Sequence, residues 1–156
     1  MNETQRILAE YDRVMRGNAA WHGDPIWQIL GTISAESAAK RPLAAAHSIW
    51  EIVMHMTFWE GVADQRLSGQ RAGLVEELNF PAQPEATAEN WQNTLDEFRQ
   101  SNARFREALS KMDAASLDDL SAAGKRSFYE EAHGLIEHHV YHAGQIAMLQ
   151  KAFQHK

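Results

Sequence analysis

The stretch IEHHVYHAGQIAML, residues 136–149, places His138, His139 and His142 in a segment that otherwise has the pattern of a core-facing helix. Residues four apart on an α-helix lie one turn apart on the same face, so His138 and His142 point the same way. Paired histidines at this spacing are known from helices that hold zinc-like ions. The stretch therefore predicts a long helix near the end of the chain and two ligands of a metal site.

A third ligand would have to come from another helix. His55 lies in HSIWEIVMHMTFWE, residues 47–60, on the predicted inward face between Ile52 and Trp59. Two helices can aim three imidazoles at one point between them. Spacing alone leaves open whether His139 replaces His138, because His139 and His142 are three apart. The alternative is that these are half-buried histidines, each satisfied by a hydrogen bond.

Four segments have the period of amphipathic helices. Two of them open with an S-x-x-E capping box, in which side chains and backbone N–H groups of the first turn bond reciprocally. The first segment ends near Gly17, and the second runs from Ser48, with Glu51, to about Gly69. The third begins near Thr87, and the fourth runs from Ser127, with Glu130, to about Gln154. Asp24 and Pro25 predict the start of a further, short helix that connects the first two.

The third helix carries a strict heptad seam with one polar position, Asn102, which we interpret as setting helix register. The seam consists of Trp91, Leu95, Phe98, Asn102, Phe105, Leu109 and Met112. Before it, residues 68–87 lack periodicity and contain two Pro and two Gly, as expected of a crossover. The sequence predicts an all-α protein, a four-helix bundle with a long central crossover, formed by a single domain over residues 1–156.

Composition excludes several classes of function. The chain has no cysteine, which removes disulfides, thiolate metal sites and a cysteine nucleophile. Fifteen Lys and Arg are scattered among twenty-one Asp and Glu, for a formal net charge of -6, so no basic stripe for nucleic acid is predicted. No apolar stretch reaches the length of a membrane helix, and the N-terminus lacks the pattern of a signal peptide. We expect a cytoplasmic protein.

The two motifs resemble those of the DinB-like superfamily, also called DinB/YfiT-like proteins. Members have an inward His followed by an aromatic–acid pair, and near the C-terminus H-x-x-x-H followed by G-Q-I. These positions correspond here to His55 with Trp59 and Glu60, and to His138 and His142 with Gly144 and Gln145. The resemblance implies a divalent-metal site formed by His55, His138 and His142. It also implies a homodimer, for which the heptad face of the third helix is a candidate surface.

The resemblance further implies a metal-dependent enzyme that activates a small thiol, as an S-transferase does, or water, as a hydrolase does. Characterised relatives use low-molecular-weight thiols such as bacillithiol and mycothiol. Three imidazoles favour Zn or Ni, with Mn, Fe and Co as further candidates. The expected partner is a small-molecule substrate, with a low-molecular-weight thiol as one candidate. The alternative function is a non-catalytic, metal-stabilised dimer that acts in stress response or binding.

Two further polar residues are weak catalytic candidates. Glu60 could act as a general base, although at this spacing we expect it to face outward or pair with an Arg. Gln145, three residues after His142, could orient that ligand by a hydrogen bond. Among the flanking aromatics, Trp50 and Phe58 are interpreted as core, and Trp59 and Tyr141 as a wall of the site. The remaining histidines, His22, His47, His133 and His155, are interpreted as surface or capping residues.

Overall fold

Four long helices form most of the computed structural model, which describes residues 1–17, 21, 23–43 and 45–154. Numbered in chain order with the short helices, they are α1 (Glu3–Arg16), α4 (Ile49–Leu67), α6 (Ala88–Lys111) and α7 (Phe128–Gln154). The short elements are α2 (Ile26–Leu30), α3 (Ala35–Ala39), α5 (Glu76–Asn79) and one 3-10 turn (Ala114–Ser116). The described part of the chain has no strand beyond an isolated bridge between Leu120 and Ser127.

The capping residues lie where the sequence predicts them. At α4, the Ser48 side chain accepts a hydrogen bond from the Glu51 backbone and Glu51 bonds back to the Ser48 backbone. Ser127 and Glu130 make the same pair of bonds at the start of α7. Because each box satisfies donors that the first turn leaves unpaired, both helix starts are fixed locally.

The core lies between the long helices. α4 packs on both α6 and α7, and α1 packs on the same two helices. The seam of α6 faces this core, with Phe98, Phe105 and Leu109 fully buried. The suggestion that the seam contributes a dimer surface is therefore wrong, because the chain's own helices cover it.

The all-α class is confirmed. The contacts among the four long helices are those that a four-helix bundle requires, and that finer description stays a prediction, as does the single domain. A long crossover, residues 68–87, separates α4 from α6 and contains the single turn α5. Among the described residues, no helix is both long and apolar enough to cross a membrane.

Candidate metal centre

His55 is supplied by the middle of α4 and is held by the crossover. Its Nδ1–H donates to the backbone carbonyl of Asn79 at 2.8 Å. The ring of Phe80 stacks on the imidazole with centroids 4.0 Å apart. Asn79 also accepts a hydrogen bond from the Trp59 indole, so one residue at the end of α5 fixes two side chains of α4.

His138 and His142 lie one turn apart on α7, as their spacing predicts. Their Nε2 atoms are 3.0 Å apart. The Nδ1–H of His142 donates to Oε1 of Gln145 at 2.7 Å. Gln145 therefore has the orienting contact expected from its position.

The three rings meet between α4 and α7. The Nε2 atoms of His55 and His138 are 3.0 Å apart, and ring nitrogens of all three residues lie within 4.8 Å of one another. The structure thus brings together the three predicted ligands. We call this group, His55, His138 and His142, the histidine cluster.

Hydrogen bonds behind two of the rings determine which nitrogen carries the proton. A carbonyl oxygen only accepts, so Nδ1 of His55, facing Asn79, and Nδ1 of His142, facing Gln145, are the protonated nitrogens. In the neutral rings the Nε2 atoms are then lone-pair donors. Both lone pairs point toward Nε2 of His138, an arrangement that a cation between the rings would stabilise.

Burial keeps the rings in the neutral form that metal ligation requires. Burial, followed by the charge of His142 and other neighbouring histidines, lowers the pKa of His138 to about 3. Burial likewise lowers the pKa of His142 to about 4, against the opposing effect of its bond to Gln145. The pKa of His55 is also lowered, again chiefly by burial.

The Nε2 atom of His138 lies 3.0 Å from each of the other two Nε2 atoms, a spacing that two ligands of one metal ion can have. Two nitrogens each about 2.1 Å from an ion, with a right angle between the bonds, lie about 3.0 Å apart. The donor set, three neutral imidazoles, suits late divalent transition metals. His138 differs from the other two in that its Nδ1 is buried with no hydrogen-bond partner in the described part of the chain.

His139 lies outside the cluster. It is fully buried on another side of α7, where its Nδ1–H donates to the Leu135 carbonyl at 2.8 Å. Its Nε2 lies 3.0 Å from Oε1 of Glu60 but makes no hydrogen bond within the described part of the chain. His138, and not His139, faces His55 and His142.

Glu60 does not face outward, and that expectation is wrong. Its side chain is fully buried and accepts hydrogen bonds from the Tyr11 hydroxyl and the Asn102 amide, each at 2.5 Å. The position repeats the inward spacing of Ile52 and Met56 at four-residue steps. The helical period thus indicated burial, and the general rarity of buried carboxylates misled the interpretation.

Asn102 connects this buried group to another helix. Its Oδ1 accepts a hydrogen bond from the Trp27 indole at 2.9 Å, and its amide donates to Glu60. The polar break in the seam of α6 is therefore one part of a buried polar network, which we define as Tyr11, Trp27, Glu60, Asn102 and His139. Burial, and next the charge of Glu60, raises the pKa of Tyr11 well above its usual value.

The other predicted residues divide between core and surface. Trp50 is fully buried and donates to Thr94, which agrees with its interpretation as core. Tyr141 is 65% exposed and forms no closed wall around the site. His47 is about half exposed and stacks on Phe80, while His133 is partly buried near Glu10. His22 and His155 lie outside the described residues.

Sequence reasoning missed Asn79 and Phe80, the residues that hold His55. Both lie in the crossover, which has no periodicity from which an orientation could be read. The contact of Asn79 with His55 is made by a backbone carbonyl, and every residue has one.

Comparison with known proteins decides the family. The family model of the DinB superfamily matches residues 20–146, a span that includes the histidine cluster and its partners in the crossover. The chain belongs to the DinB superfamily. No curated protein and no solved structure matches it. For this DinB superfamily member the three histidines are compatible with a metal site.

Proposed function

We propose that the chain is a metal-dependent enzyme of the DinB superfamily in which His55, His138 and His142 hold one divalent transition-metal ion. The observation that carries the proposal is the convergence of three Nε2 atoms, two of them with Nδ1 committed to acceptors behind the ring. Imidazole is a borderline ligand, so Zn or Ni is proposed first, with Mn, Fe and Co as further candidates.

The bound ion would supply Lewis acidity, lowering the pKa of a thiol or water at a coordination position that three protein ligands leave open. The chain's own residues contribute positioning. Asn79 and Gln145 hold two rings in the required tautomer. Trp59, held by its bond to Asn79, lies edge-on to the rings of His55 and His138.

The distribution of carboxylates favours thiol over water as the group that is activated. Glu60 is committed to Tyr11 and Asn102 inside the buried polar network, so it acts as a structural residue and not as a general base. Glu131, the carboxylate that lines the pocket beside His138, is bonded to Arg66 and Ser121. Among the described residues that line this pocket no carboxylate is free to act as a base, so activation of the nucleophile would rest on the bound ion. A thiol, with a pKa of about 8.5, needs far less help than water at about 15.7.

The thiol must come from a small molecule, because the chain has no cysteine. We therefore propose transfer of a low-molecular-weight thiol to an electrophile, with hydrolysis as the second reaction type. Either reaction needs a pocket open to small molecules, and such a pocket borders His138. A non-catalytic, metal-stabilised dimer is the alternative outcome of the experiment that follows.

Cobalt substitution tests the reaction type directly. Protein loaded with Co²⁺ is titrated with 2-mercaptoethanol, and the visible spectrum is followed for the charge-transfer band of a sulfur ligand. We expect the band to appear at about one thiol per ion and the loaded protein to consume thiol when an alkylating electrophile is added. Cobalt uptake without a thiol band or turnover would favour the non-catalytic alternative. The variant His133→Ala, on α7 but near Glu10 and outside the cluster, is the control and should behave as wild type.

A further inference from the structure

A pocket of about 220 Å³ opens beside His138, between α4, α7 and the turn that precedes α7. Pockets for drug-sized ligands usually measure about 300–1,000 Å³, so this one suits a smaller molecule. His138 is the member of the histidine cluster that lines it. A molecule in the pocket would therefore lie at the cluster's edge.

One side of the pocket is apolar. Trp59, Val62 and Ala63 contribute from α4, and Leu135 contributes from α7. The last three are about 95% buried, so they are fixed by the core and present a rigid surface. This wall would accommodate an apolar body and no charged group.

Two of the charged side chains in the pocket neutralise each other. Arg66 donates to Glu131 at 2.8 Å, and both side chains are largely buried. Arg66 also donates to the carbonyl of Ala72, and Glu131 accepts from the hydroxyl of Ser121. Each member of the ion pair thus has a second hydrogen-bond partner, and the pair presents no net charge to a ligand.

Arg126 is different. It lines the pocket, is exposed, and has no acidic side chain within 4.0 Å among the residues that the structure describes. Its backbone is fixed, because its carbonyl accepts from Ser121 at 2.9 Å across a turn closed by Gly124 at φ 71°. The turn therefore holds one uncompensated guanidinium at the edge of an otherwise apolar or neutralised pocket.

We propose that the pocket selects a small substrate with an apolar body and one carboxylate, which Arg126 binds while the rest of the molecule extends toward His138. This assignment rests on the proposed function and names the substrate class of the same site. A planar guanidinium matches a carboxylate through two parallel hydrogen bonds. Arg126 is thus a specificity-determining residue, and Trp59 forms the wall on which the apolar body packs.

The test compares 3-phenylpropanoate with its neutral analogue 3-phenylpropanamide as probes of the metal-free protein. Omitting the metal matters because a carboxylate is itself a metal ligand and would bind the ion directly. Binding is followed by NMR at the indole N–H of Trp59, assigned with Trp59→Phe, which reports occupancy of this pocket. We expect the carboxylate to bind about fivefold more tightly than the amide, as for a charge-assisted bond at a partly exposed site.

The matched variants are Arg126→Gln and Lys125→Gln. Each removes one positive charge from the same turn, but Lys125 does not line the pocket. The ratio of the affinity for the carboxylate to the affinity for the amide should fall to about one in Arg126→Gln and stay at about five in Lys125→Gln. Equal binding of the two probes by wild type, no binding of the carboxylate, or an unchanged preference in Arg126→Gln would overturn the assignment. Metal uptake is measured separately, so a failed metal site and a failed carboxylate site give different results.

Discussion

Two hydrogen bonds behind the histidine rings decide which nitrogens face the centre. Asn79 and Gln145 take the Nδ1–H of His55 and His142, and the Nε2 atoms are left as ligands. A ligand whose second nitrogen is bonded loses less orientational freedom when an ion binds. At this scale the site consists of five residues, of which Asn79 contributes only a backbone atom to the ring it holds.

Replacing Gln145 by Leu removes the acceptor behind His142 and keeps the volume of the side chain similar. We expect metal affinity to fall about tenfold or more, because such partners typically contribute a factor of about 10–100. A competition titration with a chromophoric chelator measures the change. Gln150→Leu, on the same helix but bonded to Thr32, is the control. Unchanged affinity in Gln145→Leu would show that the bond to His142 does not support the ligand.

Proton release on metal uptake tests the lowered pKa values. At pH 6, three histidines of ordinary pKa would together release about two protons on binding an ion. With a pKa of about 3 for His138 and about 4 for His142, these rings have already lost their protons, and the pKa of His55 is lowered too. We therefore expect metal binding at pH 6 to release fewer than about one proton per chain.

Calorimetric titration with metal in buffers of different ionisation enthalpy gives this number. Because these pKa values are lowered, protonation should compete with the metal only when the pH falls toward about 3 at His138 and about 4 at His142. Release of two protons or more at pH 6 would contradict the account of the ring environments.

At the scale of elements, the predictable features were those fixed by local chemistry. The capping boxes at Ser48 and Ser127 mark the starts of α4 and α7, because their bonds form within one turn. The helical period indicated that Glu60 is buried, but its partners could not be predicted, since Tyr11 and Asn102 are 49 and 42 residues away. The buried polar network joins α1, α2, α4, α6 and α7, and no single segment of sequence contains it.

Asn102→Leu tests the buried polar network. The change leaves a buried carboxylate oxygen of Glu60 and the indole N–H of Trp27 without a partner. We expect the free energy of unfolding to fall by about 2–4 kcal/mol, measured by urea denaturation. Asn93→Leu, exposed on the same helix, should change it by less than about 0.5 kcal/mol. A loss in Asn102→Leu no larger than in Asn93→Leu would mean that the network contributes specificity but not stability.

At the scale of the whole molecule, the fold brings one histidine of α4 and two histidines of α7 to a common point. His55 and His138, which contact each other across the two helices, are 83 residues apart in sequence. The all-α class and the pairing of His138 with His142 could be predicted, because the helical period and the i, i+4 spacing do not depend on packing. The choice of His138 over His139 came from the family resemblance. The pocket beside His138 could not be predicted, since it depends on how the turn at Ser121 returns to α7.

The homodimer implied by the family resemblance remains a prediction, and it no longer includes the seam of α6. Light scattering coupled to size-exclusion chromatography should give twice the chain mass of 17.6 kDa. A single species at the chain mass over a range of concentrations would rule the dimer out. The metal-loaded and metal-free forms should be measured side by side, because an ion that ties α4 to α7 would stabilise the fold by an amount that grows with the logarithm of its concentration relative to Kd.

The histidine cluster is tested most directly by the metal content of tag-free protein, determined by elemental analysis after purification and after titration of the metal-free form. The account predicts one divalent ion per chain in wild type and in the control His133→Ala, whose side chain lies near Glu10 and outside the cluster. It predicts loss of that ion in His55→Ala, His138→Ala and His142→Ala, each still folded by circular dichroism. If wild type takes up none of Zn, Ni, Co, Mn or Fe(II), or if the three variants bind as wild type does, the cluster is a set of packed histidines and not a metal site.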